Sequence, residues 1–155
     1  MKKQLLFIFC LLLVSAFAFS QAKPKAPVKK PLSELDRLLT GSGLPYKIVN
    51  DSVAVIPYEG ENIASYQVIV LKVSDLFIVY TNLTEALPGK IDETNYKFLL
   101  QQNEHFDLVK ISMSAEENIL YLRADMYRSG TNAALLKRII QQVANATNIL
   151  GGALK

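Results

Sequence analysis

The stretch YQVIVLKVSDLFIVYT, residues 66–81, decides the fold. Two runs rich in β-branched and aromatic residues flank Ser74 and Asp75, whose side chains can hydrogen-bond nearby main chain and so favour a turn. This pattern predicts a β-hairpin. Both faces of its strands are apolar, whereas a strand with one solvated face alternates apolar and polar residues. The second face of the hairpin should therefore be covered, either by another helix or by another molecule.

One face of this central hairpin is formed by four apolar side chains, those of Val68, Val70, Phe77 and Val79. We expect the long C-terminal helix to lie on the opposite face, because one helix cannot cover both. The four side chains would then form an exposed apolar patch, and patches of this kind usually mark an interface. A homodimer with two-fold symmetry would bury the same patch of each subunit.

Two elements are predicted before the central hairpin. Residues 32–40 form a short helix that Ser33 can cap, and the glycines at 41 and 43 end it. Apolar runs on either side of Asn50-Asp51 predict a further hairpin. Pro57 lacks the main-chain donor that a central strand uses, so it suggests an edge position for the second strand of that hairpin.

Three elements are predicted after the central hairpin. Asp92 has the position of a helix cap, and the helix it begins is expected to end around residues 103–106. Residues 107–126 alternate apolar and polar on both sides of a turn at 116–118, which predicts a hairpin with one solvated face. Thr131 is the expected cap of a long, broadly apolar last helix, and Gly151-Gly152 the expected stop.

These elements define the fold class as α+β. Three hairpins form an antiparallel sheet of five or six strands, with the N-terminal and C-terminal helices on one face and a middle helix, in the order αββββαββα. The folded domain is expected to span residues 32–152.

The first 20 residues have the pattern of a secretory signal peptide. Lys2 and Lys3 precede the apolar run of residues 5–14, and small residues around Ser20 offer a cleavage site. The run is shorter than a membrane span of ~20 residues, so no stable membrane anchor is expected. Residues 21–31 are rich in lysine and proline and predict an extended linker. The mature protein is therefore expected in the periplasm or outside the cell.

Charge and cysteine content exclude several functions. The signal and linker together carry six of the 17 basic residues and none of the 14 acidic ones. The rest of the chain therefore has more acidic than basic residues and offers no basic footprint for nucleic acid. The only cysteine, Cys10, lies in the signal. The mature chain therefore forms no disulfide, and one histidine without cysteine cannot build the usual zinc site.

No catalytic constellation is apparent. His105 is the only histidine, and no nucleophile or orienting acid is spaced to work with it. The carboxylate pairs at 92–93 and 116–117 sit at a helix start and in a turn, and neither has the spacing of a calcium loop. We expect no catalytic residue, no metal, no cofactor and no enzymatic activity.

The solvated face of the third hairpin is a second candidate interface. It carries Tyr121 and Arg123 beside Lys110, Asp125 and Tyr127. Tyrosine together with arginine is enriched in protein interfaces. Cross-strand ion pairs on a solvated sheet give the same pattern, so both interpretations remain open.

The chain resembles the type III secretion chaperone-like superfamily, including the YbjN-like putative sensory-transduction regulators. The resemblance rests on residues 43–46 (GLPY), 56–60 (IPYEG) and 96–103 (YKFLLQQN), with the closing hairpin and helix. It covers residues 32–152 and implies a compact α+β domain, often dimeric, that binds other proteins rather than catalysing a reaction.

The resulting expectation is an exported, non-catalytic protein-interaction domain, chaperone-like or regulatory, that forms a homodimer and binds another protein. The alternative is a periplasmic carrier or sensor of a small ligand, with a pocket between the sheet and the last helix.

Overall fold

The computed structural model describes residues 31–87, 93–114, 116 and 118–154. The chain divides into two units, Met1–Pro31 and Leu32–Lys155, and the description concerns the second. The predicted signal peptide, the predicted linker up to residue 30 and the predicted helix cap Asp92 lie outside the described residues.

The described residues form one six-stranded antiparallel sheet and four α-helices. The strands are β1 Lys47–Asn50, β2 Val53–Tyr58, β3 Tyr66–Val73, β4 Leu76–Asn82, β5 Lys110–Ser114 and β6 Ile119–Tyr127. The helices are α1 Glu34–Ser42, α2 Leu83–Ala86, α3 Glu93–Gln102 and α4 Ala133–Ala153, and a 3₁₀ turn spans Arg128–Gly130. The strand order in the sheet is β1-β2-β3-β4-β6-β5. The predicted fold class and the order of its elements are confirmed.

The central hairpin lies in the middle of the sheet, with β2 on one side and β6 on the other. Its register pairs Val70 with Val79 and Lys72 with Phe77. The turn between the strands places Ser74 at a φ of 50°, in the left-handed region. Each of the three predicted hairpins is present, and the sheet is assembled by laying them side by side.

Helices α1 and α4 contact each other and cover one face of this sheet. The core between them and the strands is tightly filled. Its largest fully buried side chains include Leu35, Leu39, Ile56, Val68, Val70, Phe77, Leu122, Leu136, Ile140 and Leu150.

The face assigned to the central hairpin from sequence is wrong. Val68, Val70, Phe77 and Val79 are each 0% exposed and point towards α1 and α4, so they form core and not an open patch. The reason lies in the neighbouring strand. Val79 pairs directly with Ala124, and paired residues of antiparallel strands share a face. The apolar side of β6 therefore decides which side of the hairpin the helices cover.

Three boundaries of α1 and α4 differ from the prediction, and the first of them is the end of α1, which passes through Gly41 and reaches Ser42. Helix α1 begins as expected, with the Ser33 hydroxyl accepting a hydrogen bond from the Asp36 main chain at 3.2 Å. Helix α4, in contrast, is capped by Asn132, whose Oδ1 accepts a hydrogen bond from the N–H of Leu135 at 2.9 Å, and not by Thr131. At its other end α4 passes through both glycines and continues to Ala153.

Pro57 does not mark an edge strand, because β2 lies between β1 and β3. It is nevertheless compatible with its position. Strand β1 pairs only with residues 53–55 of β2, so at Pro57 the neighbouring strand has already ended. The missing N–H of proline therefore leaves no ladder bond unmade.

The short helix α2 was not predicted. Asn82 caps it by accepting a hydrogen bond from the N–H of Glu85 at 3.3 Å, and Leu83 is fully buried. The Thr84 hydroxyl accepts a hydrogen bond from the N–H of Leu120 at 3.0 Å. Helix α2 thus follows directly on β4 and provides a partner for β6 beyond the last paired residue. Among the described residues, no helix has the length and apolar character needed to cross a membrane.

Candidate protein-binding surface

The face of the sheet turned away from α1 and α4 is apolar at its centre and is called the open sheet face below. Its six central side chains are those of Val53, Val55, Ile69, Leu71, Ile78 and Tyr80. All six are half-buried, whereas their neighbours on the core face are fully buried. None of the described helices covers this face.

The strand register arranges the open sheet face in two rows. One row runs from Val53 through Leu71 and Ile78 to Asp125. The next runs from Val55 through Ile69, Tyr80 and Arg123 to Lys110. Each row is apolar over β2, β3 and β4 and becomes charged at β6, and the second row continues to a charged residue on β5. The surface therefore joins an apolar centre to a polar border, as protein interfaces do.

Two side-chain pairs order the polar border. Tyr80 and Tyr121 meet edge to face, with ring centroids 5.6 Å apart. Arg123 donates two hydrogen bonds to Asp125, from Nε at 3.0 Å and from Nη2 at 2.7 Å. These hydrogen bonds raise the pKa of Arg123 above its ordinary value. Because the pair is exposed, its main effect is to fix the direction of the guanidinium rather than to stabilise the fold.

The structure separates the six residues predicted as interface. Tyr121 and Arg123 lie on the open sheet face, side by side with its apolar rows. Val68, Val70, Phe77 and Val79 lie on the core face and cannot contact a partner while the chain keeps this fold. The apolar residues that sequence reasoning missed are Ile69, Leu71 and Ile78, which the prediction placed beneath the long helix.

The predicted alternative requires a ligand pocket between the sheet and the last helix. In the described residues, side chains fill the space between these two layers. Val70, Phe77, Leu136 and Ile140 occupy it and are each fully buried. A shallow surface depression of about 230 Å³ lies instead beside α4, between residues 105–109 and residues 142–149. That volume is below the roughly 300–1,000 Å³ typical of a small-molecule site.

His105 lies in the turn after α3 and is exposed. It borders the surface depression beside α4 together with Gln142 and Asn145, and neither amide is an acid or a nucleophile. Within residues 31–87, 93–114, 116 and 118–154, no group of three or more His, Cys, Asp or Glu side chains is arranged to hold a metal ion.

The architecture, an antiparallel sheet with helices on one face, is similar to that of chains in two solved protein complexes. One chain of the heterodimeric complex ExoU-SpcU from the type III secretion system of Pseudomonas aeruginosa matches with a TM-score of 0.52 and 17% identity, over 76% of this chain and 95% of that chain. A chain of the ExsC-ExsE complex matches with a TM-score of 0.56 and 13% identity, over 79% of this chain and 95% of that chain.

At these identities the likeness concerns the fold. It supports the fold that the resemblance implied, whereas membership of the type III secretion chaperone-like superfamily and the narrower YbjN-like assignment stay predictions. No protein-family model matches the sequence, and no curated protein does.

Proposed function

We propose that this chain is a non-catalytic, chaperone-like protein-binding domain of the bacterial envelope, and that it acts as a homodimer joined through the open sheet face. The observation that carries the proposal is the apolar centre of that face. Large contiguous apolar surface on a protein outside the membrane usually marks an interaction site. The Tyr80–Tyr121 pair and Arg123 add side chains that are enriched in interfaces.

The open sheet face is self-complementary. It carries both signs of charge next to each other, in Arg123 and Asp125, at the border of an apolar area. In a two-fold dimer each residue contact occurs twice, so Arg123 of one copy can face Asp125 of the other. Two sheets packed in this way lie about 10 Å apart and bury both apolar centres.

The likeness to solved complexes supports binding to another protein. The two solved structures described above are each named as a complex of two proteins. Location in the envelope, either in the periplasm or outside the cell, is supported by the signal-like residues 1–20 and the lysine- and proline-rich residues 21–31 that follow them.

Two neighbouring substitutions on β3 test the proposal. Leu71 lies on the open sheet face and Val70, the residue before it, lies in the core. Leu71→Lys should leave the chain folded, because a half-buried lysine can extend its amine to water, while the charge disrupts the interface. Val70→Lys should unfold the chain, because the same charge is buried among apolar side chains.

The measurement is light scattering behind a sizing column, with circular dichroism to follow folding. The wild type should be a dimer at micromolar concentration, and Leu71→Lys a folded monomer. A wild type that stays monomeric at high micromolar concentration contradicts the homodimer. A Leu71→Lys variant that is folded and still dimeric places the dimer interface elsewhere.

A further inference from the structure

Strand β5 lies at one edge of the sheet, and a side chain occupies part of its free edge. The N–H of Ile111 donates a hydrogen bond to Asn103 Oδ1 at 2.6 Å. The carbonyl oxygen of Ile111 accepts one from Asn103 Nδ2 at 3.2 Å. A carboxamide has the same donor and acceptor as a peptide group. Asn103 therefore makes the two hydrogen bonds that a residue of a seventh strand would make.

Next along the same edge is an open position. Main-chain groups of an edge strand alternate between the neighbouring strand and the outside. Because the groups of Ile111 point outwards, those of Met113 point outwards as well. Met113 is 53% exposed, and its outward N–H and carbonyl have no partner among the described residues.

Lys110 holds Asn103 in this position. Its Nζ donates hydrogen bonds to the carbonyl oxygen of Asn103, at 3.0 Å, and to that of Phe106. The end of α3 is thereby tied to the first residue of β5. The free edge is closed at Ile111 by a defined contact and left open at Met113.

We propose that the free edge of β5 receives an extended segment of a partner protein as a seventh strand, and that Asn103 occupies the Ile111 position until the segment displaces it. The edge already binds one peptide-like group, the Asn103 carboxamide, with both hydrogen bonds. Addition of a strand to an exposed sheet edge is an established mode of peptide recognition. The inference rests on the protein-binding part of the proposed function. Its main-chain hydrogen bonds are made at the edge of β5, whereas the dimer is joined through the apolar centre of the open sheet face.

The surroundings of β5 specify the side chains of the segment. On the helix side, exposed Met113 and the depression lined by Phe106 and Ile149 favour apolar residues. On the other side, Lys110 and Arg123 line a depression that contains one carboxylate, that of Asp125, and favour acidic residues. The matching segment alternates apolar and acidic residues with the two-residue period of a strand.

A six-residue peptide that alternates valine and glutamate, with blocked ends, is the probe. Amide chemical shifts of the full chain are followed by NMR as the peptide is added. Strand addition should shift the amides of Ile111 and Met113 and slow their hydrogen exchange. In antiparallel pairing the valines lie opposite Ile111 and Met113 and share their face, so N-methylation of the valines should abolish binding and N-methylation of the glutamates should not.

The N-methyl comparison uses the wild-type chain, so it does not depend on the folding of any variant. Loss of binding on methylation of the glutamates alone also supports strand addition, in the parallel direction. Equal binding by both methylated peptides, or an unchanged Met113 amide, overturns the proposal.

Asn103→Ala removes the competing carboxamide and should bind the unmodified peptide about tenfold more tightly, as expected when two hydrogen bonds no longer have to be broken. Gln101→Ala, which removes an exposed amide two residues earlier in the last turn of α3, is the matched control and should bind like the wild type. Weaker peptide binding by Asn103→Ala would contradict the proposal that the Asn103 side chain competes with the peptide for Ile111.

The dimer and the strand site can fail separately. Leu71→Lys changes only the open sheet face and should bind the peptide like the wild type, so peptide binding by this variant stands even if the homodimer does not exist. If Asn103→Ala self-associates and its Met113 amide becomes protected from exchange, the strand that binds at β5 comes from a second copy of this chain. That result would overturn the proposal that a partner protein supplies the segment.

Discussion

At the scale of single residues, Arg128 joins three parts of the fold. Its Nε and Nη2 donate hydrogen bonds to Glu34 Oε2 at 3.1 and 2.5 Å. Its Nη1 donates to the carbonyl oxygen of Ser74, and its N–H donates to that of Asp75 at 2.8 Å. One side chain thus connects the start of α1, the turn of the central hairpin and the end of β6. No local sequence signal could have shown this contact, because its partners are far apart in the chain.

Tyr58 and Tyr66 are neighbouring tyrosines, and only one of their two hydroxyl groups is hydrogen-bonded within the described residues. Their rings stack with centroids 5.9 Å apart. The Tyr66 hydroxyl donates to the carbonyl oxygen of Ala144 at 2.9 Å, whereas the buried Tyr58 hydroxyl has no partner among the described residues. Burying an unpaired hydroxyl costs about 1–3 kcal/mol. Tyr58→Phe should therefore raise the free energy of unfolding by about 1 kcal/mol, and Tyr66→Phe should lower it by a similar amount.

The stability of the same two variants should depend on pH differently from that of the wild type. Burial raises the pKa of both tyrosines above the ordinary value of 10.0. A raised pKa means that the neutral form is favoured in the folded state, so this stability is complete below pH 10 and is lost as the pH rises through the raised value. Each phenylalanine variant should lose less stability than the wild type over that rise. Urea unfolding between neutral pH and about pH 11 measures both effects, and a Tyr58→Phe variant less stable than the wild type at pH 7 contradicts the unpaired hydroxyl.

At the scale of elements, most of the fold could be predicted, because hydrophobic period and turn chemistry are local properties. The third hairpin shows this well. The alternation of residues 107–126 predicts that Ile111, Met113, Leu120 and Leu122 point inwards. Ile111, Leu120 and Leu122 are buried, whereas Met113, near the turn, is 53% exposed. Helix α2 was missed because four residues are too few to display a helical period.

The candidate surface was harder to predict than the elements. Both faces of the central hairpin are apolar, so a period of two cannot tell which one the helices cover. The pairing of Val79 with Ala124 settles it, and pairing between strands that are distant in the chain is a tertiary property. Tyr121 and Arg123 were placed correctly because β6 alternates between apolar and polar residues, which marks its solvated face without reference to another strand.

The glycines near the end of α4 show how a packing requirement can resemble a stop signal. Gly151 lies inside the helix, where a Cβ atom would overlap Ile63 Cγ1 in the loop between β2 and β3. The same loop is held by a hydrogen bond from the N–H of Asn62 to Asn148 Oδ1, at 3.0 Å. The glycines thus allow the loop to pack closely on the helix.

Gly151→Ala tests this interpretation. Alanine favours the helix by about 1 kcal/mol over glycine. The overlap with Ile63 should outweigh that gain, because forced packing in a core costs about 1–3 kcal/mol. We expect the free energy of unfolding, measured in urea, to fall by about 1 kcal/mol.

Gly130→Ala is the matched control, because a Cβ atom there has no neighbour within 4 Å, and its stability should not fall. Adding Ile63→Ala removes the overlapping atom, so the double substitution should cost less than the sum of the single ones. A Gly151→Ala variant more stable than the wild type would contradict the packing role.

At the scale of the whole molecule, charge is distributed unevenly along the chain. Residues 1–31 carry lysines and no acidic residue, whereas residues 32–155 carry all 14 acidic residues. The basic positions at 2 and 3 precede an apolar run, as in an export signal, and the lysines at 23, 25, 29 and 30 come after it. The folded unit starts at Leu32, so the residues proposed to direct export lie outside it.

The proposed location in the envelope predicts a processed N-terminus. Mass spectrometry of the protein from cells should find a chain that begins between Phe19 and Lys23. Replacing Lys2 and Lys3 together with glutamate reverses the charge that a signal requires before its apolar run, so the unprocessed chain with Met1 should accumulate inside the cell. Replacing Lys29 and Lys30 with glutamate changes the net charge equally, but after the cleavage zone, and should leave processing unchanged. If the wild type retains Met1, or if both double variants are processed alike, the envelope location is wrong while the fold and its open sheet face remain.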